Sequence, residues 1–153
     1  LQTIKELPHK KLVIIGNGKT YKIKCLNFIK KNKLSNRVIF LNGLSLEEMA
    51  AIYQTAEIMI YPSIFEGFGI PILESLFSKT PVITSKEGCF SEAGGPNSKY
   101  INPLSVCEMK DAIIEIQNST EIQKEMITKG FEYAQKFTTK KIASNLMNVY
   151  NNL

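Results

Sequence analysis

Histidine and cysteine are scarce in this sequence. His9 is the only histidine, and the three cysteines are Cys25, Cys89 and Cys107. With a single histidine, a Ser/His/Asp triad or a metal site built from several histidines is hard to assemble. The cysteines are odd in number and lack the spacing of metal ligands, which favours unpaired thiols in a reducing compartment.

Long apolar runs are also missing. No segment approaches the roughly 18 consecutive apolar residues that a membrane-spanning helix requires. No signal-peptide pattern is visible at the start of the chain. We therefore expect a cytoplasmic location, with membrane association through other parts of the full-length protein left open.

The composition indicates one globular domain over residues 1–153. The chain is 44% hydrophobic, 22% charged and 9% aromatic, which is typical of a domain with a real core. The net charge of +5 comes from scattered lysines, and the densest cluster, between Lys19 and Lys33, is interpreted as a solvated helix face. No basic stripe interleaved with aromatics is present, so we expect no nucleic-acid partner. The chain begins without Met and opens with LQTIKELP, which is typical of a helix end, so we expect a piece of a longer protein.

Short β-branched runs alternate with helical segments along the chain. Strands are predicted at Lys11–Gly16, 37–42, 56–63, 80–85 and 99–103, and helices at 19–34, 45–55 and 70–78, with two or three amphipathic helices over about 105–153. Ser45 and Glu48 form a capping-box pattern at the second of these helices. Strands separated by single helices predict an α/β fold with a doubly wound, mostly parallel sheet. The near-continuous apolar runs, such as Lys11–Gly16, predict buried strands in a sheet that is covered on both faces.

Two glycines mark a candidate site in the stretch YPSIFEGFGIPILES. Ligands of parallel α/β sheets bind beyond the carboxyl ends of the strands, and this stretch follows such an end. Gly67 and Gly69 flank Phe68 directly before a predicted helix, so the turn can adopt positive φ and expose its amides. The helix start adds unpaired N–H groups and the positive end of the helix dipole, which together suit a phosphate.

Glu66 and Glu74 stand on either side of this predicted anion site. Carboxylates accept hydrogen bonds from vicinal diols such as ribose and hexoses. The predicted ligand therefore carries hydroxyls, a diphosphate and further hydroxyls, as a nucleotide sugar does. The simpler alternative is that Glu66 is a charge at a helix N-terminus and Glu74 a surface residue.

The segment GNGKTY is a weaker candidate for phosphate binding. A P-loop would need glycine where Val13 stands, and a dinucleotide fingerprint would need glycine where Tyr21 stands. A tight strand-to-helix turn is the favoured interpretation.

EGFGIPILES followed by KTPVITS resembles the C-terminal half of retaining GT-B glycosyltransferases of the glycosyltransferase-4, or group 1, type. Their mark is a pair of glutamates separated by seven residues, which Glu66 and Glu74 match. KLVIIGNG, RVIFLNGLSLEEMAAIYQTAEIMIYPS and SEAGGPNSKYINP are similar to further blocks of the family, so the resemblance covers about Lys11 to Met147. It implies the Rossmann-like C-terminal lobe of a GT-B fold, whose first strand would lie upstream of Leu1.

The resemblance also implies roles for individual residues. Glu74 would hold the ribose, and Glu66, the candidate catalytic residue, would position the transferred sugar. The amides of the turn would meet the sugar and the diphosphate, and a second loop would receive the nucleobase, although Asn42-Gly43 departs from the usual pattern there. The turn residues are Gly67, Phe68, Gly69 and Ile70, and the nucleobase loop is Gly43, Leu44 and Ser45.

The implied function is the donor-binding part of an enzyme that transfers a hexose from a nucleoside-diphosphate sugar to an acceptor, in polysaccharide or glycoconjugate biosynthesis. The acceptor, a glycan or a lipid-linked or other molecule, would be held by an N-terminal domain. The family's arginine and lysine that neutralise the diphosphate would also lie upstream. Neither a metal nor another cofactor is expected, because the helix dipole and basic residues can offset the diphosphate charge. Two alternatives stay open: a nucleotide-sugar epimerase lobe of the same architecture, and a non-catalytic binding module.

We predict that this chain by itself has negligible transferase activity. Closure of two lobes should assemble the site and exclude water, and the resemblance covers one lobe only. The measurement is sugar release and transfer by the purified chain with nucleoside-diphosphate sugars. Appreciable transfer would contradict the two-lobe interpretation.

Overall fold

The computed structural model describes residues 1–152, in which β-strands and α-helices alternate. The strands are β1 (Leu12–Ile15), β2 (Val38–Leu41), β3 (Met59–Tyr61), β4 (Val82–Ser85) and β5 (Lys99–Ile101). The helices are α1 (Gln2–Lys5), α2 (Thr20–Lys31), α3 (Leu46–Thr55), α4 (Ile70–Phe77), α5 (Phe90–Gly94), α6 (Val106–Asn118), α7 (Thr120–Ala134) and α8 (Thr139–Asn151), with a 3₁₀ turn at Gln135–Phe137.

All strand pairs are parallel, which confirms the predicted α/β class. β1 pairs with β2, and β3, β4 and β5 form a three-stranded sheet in that order. The five predicted strands are present, shortened at their ends, whereas α5 was not predicted. The chain divides into two compact units, Leu1–Met49 and a second that begins at Ala50.

Local sequence signals account for the helix starts. The amide of Ser45 donates to Glu48 Oε2 at 2.8 Å, and the amide of Glu48 donates to Ser45 Oγ at 3.2 Å. This reciprocal pair confirms the predicted capping box of α3. Ser105 and Ser119 cap α6 and α7 without the reciprocal bond; the hydroxyl of each accepts from the amide three residues ahead.

The first unit packs its helices on one face of the β1–β2 pair. Ile4 of α1 and Ile29 of α2 are buried together with Leu34 and Val38. Partly buried residues complete this cluster: Leu1, Leu12, Ile14, Phe28 and Phe40. The core of this unit therefore lies between two helices and the inward-facing residues of two strands.

The other face of the same strand pair is open, which corrects one expectation. β1 was predicted as a buried strand, but Val13 and Ile15 are 41% and 37% exposed, as Ile39 of β2 is 46% exposed. The alternating side chains of a strand point to opposite faces, and helices α1 and α2 cover only one of them. Tyr21, in the first turn of α2, is likewise 74% exposed, whereas the buried residue of this helix, Ile29, lies near its other end.

Arg37 ties the start of the chain to β2. Its Nε donates to the carbonyl of Lys10 at 3.0 Å, and its Nη2 donates to the carbonyls of Ile4, at 2.6 Å, and Leu7. The planar guanidinium can meet several acceptors at fixed angles, which a lysine cannot. One side chain thus bonds three carbonyls of the segment that runs from Ile4, in α1, to Lys10, two residues before β1.

The second unit is built around β4, whose four residues are all buried. Val82 packs with Ile72 and Leu76 of α4 and with Phe90 of α5. A strand that pairs on both sides and is buried on both faces is typical of the middle of a parallel sheet. The predicted coverage of both faces is therefore confirmed for β4.

The helical C-terminal part differs along its length. In α6 and α7 the buried residues recur at helical spacing, as predicted from the sequence: Ala112, Ile113 and Ile116, then Met126, Gly130 and Ala134. In α8 no residue is buried, and its apolar side chains are more than half exposed. Amphipathicity alone therefore does not show which of these helices packs within the described chain.

We predict that Arg37→Ala lowers the free energy of unfolding by about 2–4 kcal/mol, because it removes charge-assisted hydrogen bonds to three carbonyls. Arg37→Lys should recover only part of this loss, since an ammonium cannot span the three acceptors. Urea denaturation measures both. Lys24→Ala, which removes an exposed cation, is the control and should change stability by less than about 0.5 kcal/mol. A loss at Arg37 no larger than this control would contradict the prediction.

Candidate functional site

Glu66 lies in the loop after the carboxyl end of β3. Its Oε1 accepts two hydrogen bonds, from the hydroxyl of Tyr61 at 2.8 Å and from Oγ of Ser63 at 2.9 Å. Among residues 1–152, no donor reaches Oε2. Cys89 Sγ contacts the backbone carbonyl of the same glutamate at 3.3 Å. The side chain is half-buried, so one oxygen is bound inside the protein and the other is available.

Tyr61 is held as a hydrogen-bond donor by its surroundings. Burial raises its pKa to about 12, and the hydrogen bond to Glu66 acts in the same direction. The ring also packs edge-on against Phe90, with centroids 6.3 Å apart. Tyr61 therefore stays protonated at any physiological pH.

Glu74 has a tyrosine partner of its own. Its Oε2 accepts from the hydroxyl of Tyr53, near the end of α3, at 3.1 Å. Burial and the neighbouring carboxylate raise the pKa of Tyr53. The hydroxyl of Thr80 donates to the carbonyl of Tyr53 at 2.6 Å, which fixes the tyrosine backbone. The two glutamates are thus each oriented by a phenol from another element.

The glycine turn between the glutamates adopts the predicted conformation at Gly69. This residue has φ of 102° and forms the N-cap of α4, where no side chain caps the helix. A Cβ at Gly69 would lie 3.1 Å from Ile72 Cδ1, whereas a Cβ at Gly67 would meet nothing within 4 Å. The amides of residues 67–70 find no acceptor within residues 1–152. Unpaired amides at a helix N-terminus form a site with positive potential.

Phe68 points away from this opening. Its ring lies 5.6 Å from that of Phe137 in the 3₁₀ turn, and Phe137 contacts Tyr133 of α7 at 5.7 Å. Only the backbone of Phe68 therefore faces the amide cluster. Ile70, also predicted to bind the donor, is 63% exposed at the first position of α4.

The predicted nucleobase loop lies in the first unit, whereas Glu66 and Glu74 belong to the second. Gly43 has φ of 65°, and Leu44 is half-buried. The amide and hydroxyl of Ser45 are both engaged by Glu48 in the capping box. The structure places no other site residue beside this loop within Leu1–Met49.

Three hydroxyl residues that contact the glutamates were not assigned a role from the sequence. Tyr61 is the last residue of β3 and Ser63 follows two residues later, and this spacing, just ahead of Glu66, is a local signal that could have been used. Tyr53 gave no signal, because it stands 21 residues before its partner Glu74.

Neither a metal cluster nor a membrane-crossing helix is found in the described part of the chain. Residues 1–152 contain no group of three or more His, Cys, Asp or Glu side chains that could hold a metal ion. Within the same residues, every helix is too short or too polar to traverse a bilayer. The expectation that the site works without a metal remains a prediction.

The sequence matches one family model over most of its length. The model for glycosyl transferases group 1 matches residues 1–133. The chain belongs to this family. The predicted family membership is thereby confirmed.

Several curated glycosyltransferases and mannosyltransferases are similar to most of the chain. An uncharacterized glycosyltransferase of Methanocaldococcus jannaschii is 32% identical over 142 residues, which are 92% of this chain and 40% of that protein. The O-antigen chain mannosyltransferase of Salmonella typhimurium is 34% identical over 69% of this chain and 30% of its own length. The MMP alpha-(1->4)-mannosyltransferase of Mycolicibacterium hassiacum is 30% identical over 88% of this chain and 32% of its own length. The chain thus spans 30–40% of the length of these relatives.

Several solved structures share the fold. Sucrose-phosphate synthase from Thermosynechococcus elongatus superposes with a TM-score of 0.87 at 22% identity, covering 99% of this chain and 40% of that one. Anabaena HepE in complex with UDP-glucose gives a TM-score of 0.85 at 21% identity, and the match covers 99% of this chain and 44% of HepE. A C-terminal domain of a group 1 glycosyl transferase from Francisella tularensis gives a TM-score of 0.76 at 23% identity, and the match covers 89% of this chain and 73% of that domain.

We predict that Gly69→Ala lowers the free energy of unfolding by about 1–2 kcal/mol, because an alanine is strained at φ of 102°. Gly67→Ala is the matched control in the same turn, since its Cβ would enter open space. It should change stability by less than about 0.5 kcal/mol. Thermal or urea unfolding of both variants measures the difference. Equal losses would show that the left-handed turn at Gly69 is not maintained.

Proposed function

We propose that the chain is the donor-binding lobe of a two-lobed, retaining glycosyltransferase. The complete enzyme would transfer a hexose from a nucleoside-diphosphate sugar to an acceptor held by its other lobe. The observation that carries this proposal is the turn of unpaired amides at Gly67–Ile70 between two oriented glutamates. This arrangement has an anion site in the middle and a hydroxyl-binding carboxylate on each side.

The diphosphate would bind at the glycine turn. The amides of Gly67, Phe68, Gly69 and Ile70 have no acceptor of their own within residues 1–152, and no side chain caps α4. A Cβ at Gly67 would project into open space, so a ligand can approach the backbone there. Charge that develops on the leaving diphosphate would be stabilised by these fixed donors without a metal or another cofactor.

The two glutamates would bind different hydroxyls. Glu74, fixed by Tyr53, would accept from the ribose, and Glu66 would accept from the transferred sugar. In the transition state of glycosyl transfer the sugar carries positive charge, which a nearby carboxylate stabilises. We therefore assign Glu66 to positioning and electrostatic stabilisation rather than to nucleophilic attack. The loop of Gly43, Leu44 and Ser45 would receive the nucleobase.

The comparisons support a sugar nucleotide as the ligand class. Relatives are named mannosyltransferases and a poly(glycerol-phosphate) alpha-glucosyltransferase. Solved neighbours were crystallised with UDP, with UDP and glucose, and with UDP-glucose. An epimerase lobe would use the same pocket, and product analysis of the complete enzyme separates the two, since an epimerase releases an altered sugar nucleotide without an acceptor product.

We predict that Glu66→Gln and Glu74→Gln weaken binding at different ends of the sugar nucleotide. Glu74→Gln should weaken a nucleoside diphosphate and its sugar conjugate alike, because both carry the ribose. Glu66→Gln should spare the nucleoside diphosphate and weaken only the conjugate. Loss of a charge-assisted hydrogen bond corresponds to about 1.5 kcal/mol, roughly tenfold in the dissociation constant.

The measurement is calorimetric titration of both variants with UDP and UDP-glucose, and in parallel with GDP and GDP-mannose. Glutamine keeps the size of the side chain and one acceptor oxygen, so Tyr53 and Tyr61 retain a partner. Melting curves control for unfolding. The same loss in every combination of variant and ligand would remove the proposed division of roles.

A further inference from the structure

We propose that Tyr61 and Ser63 are positioning residues for Glu66, which donate together to Oε1 and leave Oε2 to accept a hydroxyl of the transferred sugar. This inference rests on the proposed function. It adds to that function the residues that select which carboxylate oxygen meets the sugar.

Both donors reach the same oxygen. The distances to Glu66 Oε1 are 2.8 Å from Tyr61 and 2.9 Å from Ser63. Ser63 Oγ also lies 3.3 Å from the carbonyl of Phe65, but its single proton favours the shorter contact to a charged acceptor. Rotation of the carboxylate would break both bonds at once, so its plane and its outward oxygen are fixed together.

The two donors are themselves held by β4. Thr84 Oγ1 donates to the carbonyl of Tyr61 at 2.9 Å, and Ser85 Oγ donates to the carbonyl of Ser63 at 2.5 Å. Thr84 and Ser85 are buried, and Thr84 is the register partner of Tyr61 in the sheet. Hydroxyls of two successive core residues therefore fix the backbone that carries both donors.

The hydrogen bonding of Glu66 is one-sided. Oε2 is not among the buried unpartnered side-chain atoms of residues 1–152, so this oxygen stays open to solvent or to a ligand. Here both protein donors serve Oε1, and within residues 1–152 none serves Oε2. A ligand hydroxyl would supply the missing donor, and an oxygen held ready for it lowers the ordering cost of binding.

The test uses Tyr61→Phe, Ser63→Ala and the double variant in the complete enzyme. Each single change should raise the dissociation constant of the sugar nucleotide by about 3- to 10-fold, as expected for one hydrogen bond, and change that of the nucleoside diphosphate less than about twofold. The probes are two pairs, UDP with UDP-glucose and GDP with GDP-mannose, and the dissociation constants are compared within each pair. In the Glu66→Ala background, Tyr61→Phe should have little further effect on the sugar nucleotide, because the carboxylate on which it acts is gone.

Two tyrosine variants are matched controls. Tyr53→Phe removes a hydroxyl bound to Glu74 and should weaken both members of each ligand pair by the same factor. Tyr100→Phe removes a hydroxyl bound to the carbonyl of Gly95 in the sheet region, and should lower the melting temperature without separating the ligands. Phenylalanine at position 61 keeps the ring contact with Phe90, so folding is preserved.

The outcomes separate this inference from the proposed function. If Glu66→Gln weakens only the sugar nucleotide but Tyr61→Phe and Ser63→Ala leave its affinity unchanged, or weaken both ligands equally, the positioning role is wrong and the function stands. If the unchanged enzyme binds none of the four probes, the proposed function and the positioning role are both wrong. Loss confined to the sugar nucleotide, and absent in the Glu66→Ala background, supports the inference.

Discussion

Burial of β4 on both faces is the constraint on which the second unit depends. Val82–Ser85 is buried throughout, yet it ends in two hydroxyl residues that need acceptors. Thr84 and Ser85 find these acceptors in the carbonyls of Tyr61 and Ser63. The core strand thereby holds the backbone at Tyr61 and Ser63, where the loop that carries Glu66 begins.

The glycine turn is anchored from the opposite direction by aromatic packing. Phe68 contacts Phe137, and Phe137 contacts Tyr133 of α7, so the side chain between the glycines belongs to the protein interior. The backbone is left facing outward, with amides that have no acceptor within residues 1–152. The packing of Phe68 thus holds the amides of the two flanking glycines in place. Fixed donors of this kind are what electrostatic stabilisation of a leaving diphosphate would require.

The proposed site combines a family pattern with contacts formed by this chain's own residues. Membership in the group 1 glycosyl transferases rests on the match over residues 1–133. In the proposed function, Glu66 and Glu74 bind the two ends of a sugar nucleotide. The phenols of Tyr53 and Tyr61 orient those carboxylates, and they do so from α3 and β3. The geometry of the two acidic groups therefore depends on the sheet and the helices packed around it.

The sequence by itself determined the features that depend on near neighbours in the chain. Strand and helix order follows from residue periodicity, the capping box at Ser45 from a three-residue spacing, and the left-handed turn from Gly69. Tertiary structure alone decided that Tyr53 pairs with Glu74. It also decided that Val13 is exposed, although the strand to which it belongs was expected to be buried. Burial and hydrogen-bond partners depend on which distant elements meet, and local periodicity cannot specify that.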